Sequence, residues 1–239
     1  TKKRYHKYHK SKQMKNLVTL FVLLTCTTFW AQQEIVINKN IQALKLNSAV
    51  QIELFVGANE NKLIGDEEVL EAINYKVSDY ELKIGLPIGK IIDGDFPLKL
   101  KVYTKNIDRL NAVQGSIVEI QNTVKSSNFS IRATEGSVIS GDFDTETLEL
   151  KALSGAIIDI SGKSKTLDVL ANTGGQYLGE QLKAEDTKVK VTYGGTAQVY
   201  TTQNCEARVV AGGTIDVFGK PKYVNEKTTF GGNINIIKD

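Results

Sequence analysis

The residues able to do chemistry are unevenly placed along this chain. Both histidines, His6 and His9, lie before residue 32, as do Cys26, the sole methionine and the sole tryptophan. From residue 32 onward there is one thiol, Cys205, and no imidazole. That excludes Ser-His-Asp and Cys-His nucleophilic catalysis, His-based zinc sites and an internal disulfide there. Carboxylates, cations and aromatic rings remain. Asp142, Asp144 and Glu146 share the run DFDTE, and paired carboxylates can drive glycoside hydrolysis. The run lacks the glycine and distal glutamate of a calcium-binding EF-hand loop, and short acidic runs are common in turns. A solvated acidic corner is the favoured reading, and no metal or cofactor is expected.

The sharper pattern is basic. Arg132, Lys151, Lys190, Arg208 and Lys227 are separated by 19, 39, 18 and 19 residues, with Leu170 filling the long gap and Asn111 one step earlier. If a repeat of that length stacks its copies, these five form a ladder of positive charge on one face. A linear polyanion, such as an anionic polysaccharide, can follow a linear array of charge. Two residues before each rung stand Arg109, Ser130, Glu149, Asp168, Lys188, Glu206 and Asn225, which partly neutralise it. An exposed strand face is charged by default, and such columns also guard against unwanted strand pairing, so a plain solvated face is the competing explanation.

A repeat does exist to position them. Gly115, Gly136, Gly155, Gly174, Gly194, Gly212 and Gly231 lie 18 to 21 residues apart. A sustained period near 20 residues marks a solenoid, in which each coil buries its apolar face against its neighbours. Three and five residues after each glycine the chain is apolar, aromatic or glycine (Val118, Ile120; Ile139, Gly141; Ile158, Ile160; Ile215, Val217). Between them stand Glu119, Ser140, Asp159, Leu178, Gln198, Asp216 and Asn235, giving the period-two alternation of a strand. Adjacent acids in this second column are spaced by neutral residues, which does not suit a hard-cation cage.

Five and three residues before the glycine the pattern repeats, as in Leu110 with Ala112 and Ile131 with Ala133, until Glu226 and Thr228 break it. Each coil therefore reads as two strands meeting at a glycine corner. A less regular third strand, using Phe129, Leu148, Leu167 and Cys205, closes it. Cys205 is then a buried small hydrophobe. Tyr200 and Phe218 fall on one face of successive coils and read as packing in preference to sugar platforms.

Residues 34–99 are rich in strand patterns but lack the glycine period, and are expected to be the first coils of the same solenoid. Asp66–Ala72 is expected to be a short helical insertion with acids at its start, where the helix dipole favours them. Nothing divides residues 32–239, which predicts a single domain. Its last coil, Gly231–Asp239, looks uncapped, and a structural envelope role would use it for self-association.

The run IQALKLNSAVQIELFVG, then YELKIGL and LKVYTKNIDRLNAVQGS, then repeated SG and GG corners, resembles the family described as putative auto-transporter adhesin, head GIN domain. The resemblance covers residues 34–238. It implies an all-β, right-handed parallel β-solenoid in an exported protein of a Gram-negative bacterium, in the periplasm or on the cell surface. It brings no catalytic residues, and with the basic column it leads to the expectation of a non-enzymatic binding or adhesion role with a polysaccharide or other cell-surface partner. Two rival classes stay open: a self-associating envelope component, and a carbohydrate-active enzyme working through Asp142 or Asp144.

Charge and the leader complete the picture. The chain has 30 Lys and Arg against 27 Asp and Glu, but seven of the bases and no acid lie in residues 1–31. The remainder is net acidic, which argues against a nucleic-acid partner. From Met14, Lys15 precedes a charge-free stretch, Leu17 to Trp30, and then Ala31. That is the layout of a signal peptide over residues 14–31, too short for a membrane-spanning helix. Residues 1–13 are expected to be an upstream extension that is not native. Thr25 stands where a lipoprotein signal needs Gly, Ala or Ser before Cys26, so no lipid anchor is expected there.

Overall fold

Alternating apolar and polar residues leave each strand one face to bury, and parallel stacking of successive coils buries it without a second sheet. The computed structural model describes residues 32–87 and 99–237 in this way. The leader, residues 1–31 with Cys26, lies outside the described residues. In chain order the strands are β1 (Gln33–Val36), β2 (Ala43–Leu46), β3 (Gln51–Val56), β4 (Lys62–Gly65), β5 (Asn74–Ser78), β6 (Glu81–Gly85) and β7 (Lys99–Thr104). They continue as β8 (Arg109–Ala112), β9 (Ile117–Ile120), β10 (Val124–Ala133), β11 (Val138–Leu153), β12 (Ile157–Asn172), β13 (Gln176–Thr192) and β14 (Thr196–Val210). The last are β15 (Thr214–Phe218), β16 (Tyr223–Thr229) and β17 (Asn233–Ile236). One short helix, Glu67–Ala72, interrupts them.

The glycine-period region is a β-solenoid of about seven turns with parallel stacked strands. Register partners follow the repeat: Ile131 faces Leu110 and Leu150, then Val169, Val189 and Ala207. These side chains, with Phe129, Leu148 and Leu167 of the third strand, are buried along a continuous core. Within β11, β12, β13 and β14 each coil is one strand of 15 to 17 residues. The separate strands expected from the alternation thus run into one another, and only the glycine corner breaks the strand.

At that corner two residues, not one, adopt left-handed backbone. Glu135 and Gly136 have φ of 56° and 72°, and Ser154 and Gly155 have 52° and 73°. A hydrogen bond from Ser137 N–H to Thr134 O (3.2 Å) closes the first of these, as in a type I′ turn. Corners also stack: Gly136 N–H donates to Ser154 O (3.1 Å) and Gly155 N–H to Thr173 O (3.1 Å) in the next coil.

The N-terminal part differs from simple first coils. Strand β2 pairs with both β8 and β6, and β3 pairs with both β9 and β7. After β1 the chain therefore lays β2 and β3 into the second coil, passes outward to build the end of the stack, and returns to continue the solenoid. The outgoing pieces are antiparallel: β4 to β1 and β7, and β5 to β6. The expected helix is present, with Leu70 N–H bonded to Asp66 O (3.0 Å) and Val69, Leu70 and Ala72 buried. Val69 packs 3.3 Å from where a Gly65 Cβ would be, so the helix helps to close this end of the core. At the other end, among the described residues, β16 pairs only with β14 and β17 only with β15.

Candidate ligand-binding face

On a strand of a stacked coil, outward residues are aligned by the backbone hydrogen bonds themselves. The five candidate cations obey this. Arg132 faces Asn111 and Lys151; Lys151 faces Leu170; Leu170 faces Lys190; Lys190 faces Arg208; Arg208 faces Lys227. All five are exposed, and none forms an ion pair among the described residues. The column also runs further than the repeat indicated. Asn111 faces Lys45, and Lys45 faces Lys83. Lys83 is held by Glu81 at 3.3 Å. Neither Lys45 nor Lys83 stood out in the sequence, because only the non-sequential pairing of β2 brings them into line.

Asn111 and Leu170 divide the column into a Lys83–Lys45 pair, an Arg132–Lys151 pair and an unbroken Lys190–Arg208–Lys227 trio. The flanking acids matter most beside the middle of the column. Asp168 stands between Glu149 and Lys188 in register. Desolvation against the strand face pushes its carboxyl above the usual value, Lys188 opposes this, and Glu149 adds to it.

The second outward column is formed as expected but mixes its chemistry. Glu53 faces Glu119 on one side and Lys101 on the other, while Asn235 donates to Asp216 at 2.8 Å. The DFDTE carboxylates of Asp142 and Asp144 meet hydroxyl and ammonium groups of the neighbouring coils. Asp142 faces Ser161, which donates to it at 3.0 Å. Asp144 faces Lys125 and Lys163, the latter paired with it at 3.4 Å. No second carboxylate therefore stands in register with either, and Phe143 between them is buried in the core. Asp142 does line an open groove of about 530 Å³ with Asp159, Glu180 and Gln198. Among the described residues no three His, Cys, Asp or Glu side chains cluster closely enough to hold a metal ion.

Tyr200 and Phe218 are register partners and half-buried, with Lys183 Nζ 5.7 Å from the Tyr200 ring centre. Cys205 is buried beneath the third strand. Burial pushes its thiol up to about 11, and a hydrogen bond with Thr201 pulls it partly back. Of the exposed rings Tyr75, Tyr80, Tyr193, Tyr223 and Phe230, none was singled out from the sequence, and Tyr193 and Phe230 sit at glycine corners. The place they occupy holds Gln114, Glu135, Ser154, Thr173 and Ala211 in other coils, so no residue type flags it.

Comparison with known proteins places this architecture. A family model described as "Putative auto-transporter adhesin, head GIN domain" matches residues 40–221. The fold is similar to that of a putative adhesin from Bacteroides fragilis, with a TM-score of 0.77 at 14% identity, over 88% of this chain and 98% of that one. It is similar to a putative adhesin from Parabacteroides merdae, with a TM-score of 0.65 at 19% identity, over 87% and 96%. It is also similar to a protein from Parabacteroides distasonis named a putative lipid binding protein, with a TM-score of 0.62 at 17% identity, over 87% and 96%. Among curated proteins nothing matches the chain.

Proposed function

This chain belongs to the putative auto-transporter adhesin, head GIN domain family, and on that premise we propose that it is an exported, non-enzymatic binding protein whose basic column takes a linear anionic polysaccharide. The observation that carries the reading is the register: Arg132, Lys151, Lys190, Arg208 and Lys227 lie in one hydrogen-bonded file, exposed and without ion-pair partners among the described residues. Rungs of a parallel stack are about 4.8 Å apart, inside the roughly 8 Å Debye length of physiological salt. Successive cations therefore act on one polyanion together. A single exposed ion pair contributes at most about 1 kcal/mol, so affinity comes from repetition along a rigid axis and not from a deep pocket. An adhesion role fits a surface that is long, flat and multivalent.

Export is part of the proposal and rests on the signal-peptide pattern of residues 14–31. No helix among the described residues is long and apolar enough to cross a membrane. The direct test compares the chain with its Lys151→Glu/Arg208→Glu variant on anionic polysaccharides at low and moderate salt. Salt-sensitive binding lost in the variant is expected; binding unchanged by it overturns the reading.

A second reading is assembly of copies through the solenoid end, where among the described residues β16 and β17 pair on one side only. An unpaired strand edge is a template for pairing with another chain. Sedimentation over a hundredfold concentration range separates the two readings. A monomer throughout removes the second.

A further inference from the structure

We propose that Tyr193, Ala211 and Phe230, beside Lys190, Arg208 and Lys227, form a subsite that stacks on the sugar rings of an anionic polysaccharide lying along the solenoid axis. This rests on the reading above and narrows it in two ways: the polyanion is a glycan, and its main contact is the C-terminal part of the column.

The two rings are placed against the ordinary preferences of the chain. Tyr193 is 65% and Phe230 87% exposed, while Phe129, Phe143 and Tyr177 are buried in the core and the other exposed rings, Tyr75, Tyr80 and Tyr223, lie away from the glycine corners. Tyr193 and Phe230 both sit in left-handed backbone, at φ of 47° and 58°, where a bulky residue is an outlier and costs on the order of 1–3 kcal/mol. Packing does not demand them, because small and polar residues serve the same turn elsewhere.

The corners that carry the rings are pinned. Tyr193 N–H donates to Val210 O (3.2 Å), Ala211 N–H to Thr229 O (2.9 Å), and Gly212 N–H to Gly231 O (3.1 Å). The backbone that carries the rings is thus fixed by the stack, which lowers the ordering cost left for binding.

Their order matches the charge beside them. Each corner residue lies three positions after a rung: Lys190 with Tyr193, Arg208 with Ala211, Lys227 with Phe230. This is the only run of three adjacent cations in the described column, since Leu170 interrupts it before Lys190. Along the axis the edge reads ring, small residue, ring, with the rings two coils or about 9.6 Å apart. A pyranose in an extended chain advances by about one coil. Alternate sugars therefore meet a ring, Ala211 leaves room for the one between, and acid groups face the cations. An anionic bilayer fits less well, because it presents a plane and would bring Glu206, exposed two residues before Arg208 on the same strand face, against its headgroups.

The test titrates the full chain with oligogalacturonate and with inorganic polyphosphate, which carries charge but no sugar ring. Tyr193→Asn/Phe230→Asn removes the rings with a residue that tolerates left-handed backbone, and Lys190→Gln/Arg208→Gln removes charge. The ring variant is expected to lose about three- to tenfold per ring for oligogalacturonate and nothing for polyphosphate, with Tyr193→Phe/Phe230→Tyr restoring affinity. The charge variant is expected to weaken both. If the ring variant binds oligogalacturonate like wild type while the charge variant does not, the subsite is wrong and the ladder stands. If wild type binds neither polyanion, both are wrong. Ring-dependent binding to phosphatidylglycerol vesicles, without ring-dependent glycan binding, assigns the edge to a membrane and overturns the subsite.

Discussion

Gly162 and Phe143 are register partners on β12 and β11, and a Cβ at Gly162 would overlap the Phe143 carbonyl oxygen. Gly162 also has φ of 107°, outside the range an L side chain readily adopts. The buried Phe143 ring sits 5.4 Å, centre to centre, from that of the buried Phe129. The glycines of the repeat are different. Gly155, with φ of 73°, has nothing within 4 Å of its would-be Cβ.

These two glycines separate steric from conformational need. Gly155→Ala is expected to cost about 1 kcal/mol, through backbone preference alone. Gly162→Ala must also displace backbone, and is expected to cost about 3 kcal/mol or more. Urea denaturation of both variants measures the difference. Equal losses would mean that the Phe143 contact relaxes freely.

The contrast also explains what could be read from the chain. Seven glycines in period dictate the corner, because the same turn is built seven times and nothing else tolerates its second residue as well. The basic column followed from the same period. Gly162 lies outside that period, and its reason is one carbonyl on the neighbouring coil. Likewise Lys45 joins the column only because Leu44 pairs with Leu110, 66 residues away. Alternation in β2 is the same whichever strand it meets, so neither that partner nor the antiparallel sense of β1, β4 and β5 was legible. Tyr193 and Phe230 could not be told from the other aromatics, because their backbone contradicts residue preference.

Tyr177 is fully buried, its ring in the space that Gly179 leaves by having no side chain. Its hydroxyl has no hydrogen-bond partner among the described residues, and burial strongly opposes its ionisation. A buried unsatisfied hydroxyl costs about 1–3 kcal/mol. Tyr177→Phe keeps the ring and removes that cost, so it is expected to raise stability by about 1 kcal/mol or more, seen as a higher denaturation midpoint with unchanged m-value. A lower midpoint would show that the hydroxyl is satisfied in solution, by water or by the chain.

Cys205 sets a pH window. Its thiol is raised from 9.0 to about 11 in the folded chain, first by burial, against a hydrogen bond from Thr201 and with a smaller push from Glu226. The folded state therefore keeps a proton that the unfolded chain has released between those values. Its contribution to stability is fully present below about pH 9 and is lost as pH rises toward about 11. Tyrosines and lysines titrate in the same range, so the informative quantity is the difference between wild type and Cys205→Ala. That difference is expected to favour wild type at pH 8 and to shrink steadily by pH 11, with the native thiol unreactive to a disulfide reagent at pH 8. Parallel stability curves for the two proteins would show that the thiol titrates alike in both states. Cys205 would then be open to water and not sealed against Thr187, its register partner in the coil before.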